Sequence, residues 1–155
     1  MNKKKTDNNI VSNKQAYRDY FIDKKYEAGI ELLGNEVKSL RLGKANLKGS
    51  FAKLENGEVL LYNMHIDPYK FSRDDVDPIR PRKLLLHKIE IKQLFIQMEQ
   101  KGLALLPLRL YFRRGYAKVE LAIGRGKRMY DKRASLKEKQ AKREVEKALK
   151  HKGNI

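Results

Sequence analysis

The chain has 155 residues, 41% of them apolar, and a formal net charge of +17 from 36 Lys and Arg against 19 Asp and Glu. That length suits one domain with tails, and so large a charge self-repels unless a polyanion such as nucleic acid or an acidic membrane surface meets it. The absence of cysteine excludes disulfides and thiolate metal sites, and no apolar run approaches the roughly 18 residues of a bilayer span.

In chain order, residues 1–12 read as a disordered basic arm of charge +2 (three Lys, one Asp), polar throughout Met1–Asn9 and unlike a secretory signal. A cytoplasmic protein is therefore expected. Residues 13–130 carry nearly all the large apolar side chains and a charge of +10 (24 basic, 14 acidic). Residues 131–155 form a tail of charge +5 (nine basic, four acidic). The body thus has a basic surface of its own.

Within the body, Tyr20, Ile22, Tyr26, Ala28, Ile30 and Leu32 share one parity and Asp19, Asp23, Lys25, Glu27 and Glu31 the other. That alternation predicts a long strand, or two collinear ones, with one face buried. Asn35 is placed to cap a short helix through Leu42, with Val37 and Leu40 inward and Gly43 as its stop. Phe51–Leu54 and Val59–Ile66 flank Asn56-Gly57, a pair that tolerates positive φ and so predicts a hairpin. Asp67–Pro81 reads as a long loop, because Pro68, Pro78 and Pro81 cannot donate to an inner ladder. Ile91, Leu94, Phe95 and Met98 follow helical spacing in a helix over residues 88–101 that Gly102 ends. Leu106, Leu108, Leu110 and Phe112 alternate with Arg109 and Tyr111. After Arg113-Arg114-Gly115-Tyr116, Ala117, Val119, Leu121 and Ile123 alternate with Lys118 and Glu120, predicting a second hairpin. Gly124-Arg125-Gly126 reads as a bend leaving the last strand. Most of the eight tyrosines are expected in the core.

Many short antiparallel strands and few helices predict a mainly β fold: a small OB-like barrel with two or three flanking helices and a basic C-terminal tail, disordered or helical. Such barrels bind nucleic acid on a strand face and loops. The tail's residues 135–152 are strong helix formers, with Glu138 and Glu146 each four residues before a lysine. Its apolar stripe, Ala141, Val145, Ala148 and Leu149, is too thin to dock firmly, so the tail is expected to be mobile when free and helical when bound.

No catalytic, metal or cofactor site is expected. His65, His87 and His151 lack ligand spacing, and Asp74, Asp75 and Asp77 sit in a loop without a rigid element to fix their geometry. The basic groups are more informative. Lys38, Arg41 and Lys44 share a side of the first helix and its exit, and Arg80, Arg82 and Lys83 crowd the end of the long loop, where all of them can neutralise phosphates. Tyr69 beside Lys70 can stack on an unpaired base.

One set of segments carries a resemblance. These are Asn13-Lys14, Tyr26-Glu27-Ala28-Gly29, Glu36-Val37-Lys38-Ser39-Leu40-Arg41, Gly43-Lys44-Ala45-Asn46, Arg82-Lys83-Leu84-Leu85-Leu86, Val119-Glu120-Leu121, Gly126-Lys127 and Asp131-Lys132-Arg133. In combination they resemble the small protein B family, the SsrA-binding proteins that work with tmRNA in trans-translation. The resemblance implies a non-enzymatic adaptor, with no cofactor, that binds the tRNA-like domain of tmRNA near its elbow. It implies entry into the vacant A site of a stalled ribosome, with the tail lying helical in the empty mRNA channel, and elongation factor Tu joining through tmRNA. A monomer is expected. Glu27, Leu85 and His87 match positions tied to tmRNA, His87 standing where some members have asparagine. Lys38, Arg41, Lys44 and Asn46 are assigned to the same RNA. Asp131, Lys132 and Arg133 match the motif needed on the ribosome, and Tyr130 stands near the decoding-centre position where some members have histidine. A general OB-type ribosome-associated RNA binder is the rival reading.

Overall fold

A computed structural model describes residues 8–152. Strands β1 (Asn8–Ser12), β2 (Tyr20–Ile30), β4 (Phe51–Glu55), β5 (Glu58–Tyr62), β7 (Arg82–Leu85), β8 (Leu103–Arg113) and β9 (Tyr116–Gly126) form one antiparallel sheet. Its order is β1-β8-β4-β5-β7-β2-β9, and β9 pairs back onto β8. The ring is only partly closed, because β4 meets β8 through the single pair Ala52–Leu105. Two short strands, β3 (Ala45–Asn46) and β6 (His65–Ile66), pair separately. The mainly β, OB-like reading of the sequence therefore holds.

The barrel closes on a core that includes Tyr26, Ala28, Val59, Leu61, Leu84, Leu105, Leu110, Val119, Leu121 and Ile123. Each large apolar side chain buried there contributes about 1.5–3 kcal/mol. Both hairpin turns use positive φ: Asn56 (50°) and Gly57 (75°), then Arg114 (53°) and Gly115 (80°), the primed-turn signature that matches strand twist. Helix α3 (Lys88–Met98) drives Leu94 into the core, where it is fully buried, with Ile91 and Met98 packed beside it.

Several sequence expectations need correction. The arm over residues 1–12 is not wholly disordered: residues 8–12 form β1 on the edge of β8, where the free ladder of β8 offers backbone partners. Residues 1–7 lie outside the described residues. The run Val59–Ile66 splits, because Asn63 takes φ 61° and turns β6 away to β3. Leu106, Leu108 and Leu110 do not share a face. A register shift between Pro107 and Arg109 sends Leu105 and Leu110 inward, while Leu106 and Leu108 join a second cluster under Ala16; one extra residue in a strand reverses its facing. That cluster covers a helix not located from sequence, α1 (Lys14–Asp19), whose N-cap Asn13 accepts from the Ala16 N–H at 3.3 Å and donates to the Pro107 carbonyl at 2.9 Å. Gly124–Gly126 is no bend: it continues β9 against Tyr20–Ile22. A Cβ at Gly124 would lie 3.1 Å from both Tyr20 Cβ and Leu106 Cδ1, so a side chain there would make these neighbours give by a few tenths of an ångström. Phe95 points outward, 61% exposed. Of the tyrosines, Tyr26 and Tyr111 are buried while Tyr17 and Tyr116 are exposed.

Helix α2 (Gly34–Arg41) starts one residue before Asn35, which is therefore not its cap. The Leu33 N–H instead donates to Glu36 Oε1 at 2.9 Å, and the Asn35 amide turns to Ser72 Oγ at 2.7 Å. Helix α4 (Met129–Lys152) takes in residues 131–152 of the tail and begins before it, and residues 153–155 lie outside the described residues. From Leu136 (52% exposed) through Val145 and Leu149 it stands in solvent, as its thin stripe requires. Among the described residues no helix is long and apolar enough to cross a membrane.

Candidate nucleic-acid interface

Of the three residues assigned to tmRNA by resemblance, the β2–β7 ladder pairs one, Leu85. Gly29 pairs with Leu85. Glu27 lies two positions before Gly29 on β2, with the same strand parity, and His87 lies two positions after Leu85, past the end of β7, as the N-cap of α3. A Cβ at Gly29 would stand 3.2 Å from Leu85 Cβ, so the glycine lets Leu85 lie across β2. Leu85 is half-exposed, and His87 is exposed at the N-cap of α3 with extended backbone. Its N–H donates to Glu90 Oε1 at 3.2 Å, while its side chain makes no capping bond.

Glu27 is held before any partner arrives. Tyr111 Oη donates to its Oε2 at 2.6 Å, and Arg113 is bound to the same oxygen. Burial first, then this carboxylate, push the Tyr111 hydroxyl well above its ordinary range. Across the β2–β9 ladder Glu27 faces Glu120, a like-charge pair that repels. Arg109 at 2.7 Å and Lys25 at 3.4 Å offset Glu120. The result is a carboxylate of fixed position amid guanidinium groups: an acceptor for base amino groups or ribose hydroxyls, next to donors for phosphate.

The basic groups separate into two kinds. Lys38, Arg41 and Lys44 are exposed along α2 and its exit, with Lys38 Nζ 5.3 Å from the Tyr69 ring centre. Asn46 is exposed on β3, its Oδ1 accepting from the Lys48 N–H at 2.8 Å. These side chains can meet phosphates. Arg82 cannot, contrary to the sequence expectation. It is 1% exposed, and its three nitrogens donate to Glu36 Oε2 at 2.6 Å, the Met64 carbonyl at 2.6 Å and the Pro78 carbonyl at 3.0 Å. Arg80 binds the other Glu36 oxygen, and Lys83 pairs with Glu58 at 3.0 Å. Burial pushes the Glu36 carboxyl up, but Arg80, the Leu33 N–H and Arg82 together outweigh it and hold it below its ordinary value. These arginines clamp the long loop to α2.

Asp131, Lys132 and Arg133 occupy the first turn of α4, with Tyr130 just before them. Asp131 Oδ2 accepts from the Arg128 N–H at 3.3 Å, a favourable place for negative charge. Lys132 Nζ lies 3.5 Å from Asp19 Oδ1, and Lys127 Nζ donates to Ser135 Oγ at 2.9 Å. The base of the tail is thus tied to α1, and Arg133 is exposed. A groove of about 810 Å³ runs between α1 and α4, lined by Lys14, Arg18, Asn46, Lys48, Lys139 and Lys142. It brings Asn46 together with Lys139 and Lys142 of the tail. The sequence reading also missed a stacked pair, Phe51 and Tyr62, whose rings lie 5.6 Å apart with Lys53 over both. They are direct partners in the β4–β5 register, so the Asn-Gly hairpin alone could have found them.

Fold and surface define a small OB-like β-barrel with cationic faces. The SmpB protein family model matches residues 10–151. The SsrA-binding protein of Carboxydothermus hydrogenoformans is 57% identical over 141 residues, covering 90% of this chain and 95% of that one. That of Geobacter sulfurreducens is 54% identical over 144 residues, covering 92% and 94%. A solved chain from the study "tmRNA-SmpB: a journey to the center of the bacterial ribosome" is 55% identical with a TM-score of 0.65, covering 77% of this chain and 85% of that one. The chain belongs to the SmpB family.

Proposed function

We propose that this chain is a non-catalytic adaptor that binds the tRNA-like domain of tmRNA and delivers it to the A site of stalled ribosomes for trans-translation. What supports the reading is the exposed Leu85 across β2 from Gly29, with Glu27 held in place on the same strand, on a scaffold this similar to SsrA-binding proteins. With His87 they offer an oriented acceptor, an apolar platform and an imidazole, while Lys38, Arg41, Lys44 and Asn46 supply phosphate and sugar contacts. Residues 13–130 act as the RNA-binding body. Residues 131–155 act on the ribosome, with Tyr130, Asp131, Lys132 and Arg133 at the decoding centre and the tail helix in the mRNA channel against small-subunit rRNA. Elongation factor Tu joins through tmRNA. The protein works as a cytoplasmic monomer.

A gel-shift titration with tmRNA, at one stated salt and with tRNA as competitor, tests this. The adaptor prefers the tRNA-like domain. Equal affinity for both RNAs would instead mark a general OB-type binder.

A further inference from the structure

We infer that the loop after β6 carries a stacking platform for an unpaired nucleobase of tmRNA, with Phe71 as its surface. Phe71 is 76% exposed, a costly position for a large ring on a loop that is itself well held. The Ser72 N–H donates to the Tyr69 carbonyl at 2.9 Å, and Asn35 on α2 donates to Ser72 Oγ at 2.7 Å. Below them, Ser39 Oγ donates to the Asp67 carbonyl at 2.7 Å, and Arg82 holds the Pro78 carbonyl. The ring is therefore presented from a tethered base.

Its surroundings suit a base rather than an apolar protein surface. Tyr69 meets Phe71 edge-on, 5.7 Å between centres at 66°, which supports one ring while leaving a face open. Lys70 Nζ lies 5.8 Å from the Phe71 centre and Lys38 Nζ 5.3 Å from the Tyr69 centre. Two ammonium groups thus stand where the phosphates flanking an extruded base would run. Asp74 and Asp75 follow on the same loop and repel a phosphate track from that side, so the loop reads one base rather than a length of strand. The register supplies the choice of RNA. The Glu31 N–H donates to the Lys83 carbonyl next to the Gly29–Leu85 pair, and α2 and the loop's return both begin at that end of the ladder. An RNA seated at the Gly29–Leu85 pair lies close to the end of the ladder from which α2, with Lys38, departs and to which the loop carrying Phe71 returns. The inference rests on the proposed function and adds a contact to it.

The test uses the full chain with Phe71→Ala, Phe71→Leu and Phe71→Trp. The exposed ring leaves no cavity when removed, and the chain has no other tryptophan, so F71W introduces a single reporter. Losing one base–aromatic stack weakens binding by about tenfold. F71A and F71L should both show that loss toward the tRNA-like domain of tmRNA. F71W should keep parental affinity, with its indole quenched by that RNA and not by a blunt duplex of equal length. Affinity of F71A within about twofold of the parent, an unquenched indole at saturation, or quenching only when ribosomes are added would each overturn the platform. A parent chain that prefers neither tmRNA nor tRNA, together with an F71W indole quenched by both, overturns the proposed function and leaves base stacking standing.

Discussion

Arg82 and Arg133 are the same side chain in opposite circumstances. Arg82 is 1% exposed in the barrel wall and donates to three partners, whereas Arg133 stands exposed on the first turn of a helix that runs into solvent. The barrel around α2 spends positive charge internally, on Glu36 and two loop carbonyls, to fix a surface. The tail helix keeps its charge outward and draws little stability from it. A count of lysines and arginines treats the two alike, yet desolvation makes the first a structural group and leaves the second available to a partner.

The sharpest break between these regions is functional. Replacing Asp131, Lys132 and Arg133 together by alanine is expected to abolish tagging of stalled products in a reconstituted translation assay. Gel-shift affinity for tmRNA should stay within about twofold, and the surface pair Lys132–Asp19 should cost well under ~1 kcal/mol. Loss of tmRNA affinity equal to that of a Glu27 variant would merge the two regions into one.

In the barrel, Glu36→Ala strands two arginines, one of them fully buried, and should destabilise by about 3–5 kcal/mol in urea unfolding. The same contact sets an acid limit. Because the folded-state Glu36 value lies below its ordinary 4.5, its stabilisation is complete above that pH and is lost as pH falls through the lower folded value. Unfolding midpoints taken from pH 6 downward should show this fall in the parent and a flatter profile in Glu36→Gln.

Glu27 tests whether a surface residue is also structural. Glu27→Ala should weaken tmRNA binding and cost about 1–3 kcal/mol, because the buried Tyr111 hydroxyl loses its acceptor. Glu27→Gln should recover most of the stability while binding stays impaired. Equal stability in all three proteins would show that Tyr111 finds another partner. The smallest effect belongs to the tail: Val145→Ala and Leu149→Ala, at positions 59% and 65% exposed, should each change stability by less than about 0.5 kcal/mol. A loss above ~1 kcal/mol would mean that α4 packs on the body.

What the sequence determined by itself was everything local or periodic: the alternation of β2 and β9, the Asn56-Gly57 and Arg114-Gly115 turns, the helix at Leu94, the weak stripe of α4, and the quoted segments that mark the family. Each depends on neighbours a few residues away. Tertiary structure alone decided the rest. It placed β1 on β8, reversed the facing of Leu106 and Leu108 at Pro107, and turned Arg80 and Arg82 onto Glu36. It also laid Leu85 across β2 from Gly29 and gave Glu27 to Tyr111 and Arg113, more than 80 positions further along the chain. The physical reason is that desolvation and pairing depend on which distant strand lies alongside, and a single bulge changes that partner for every residue that follows.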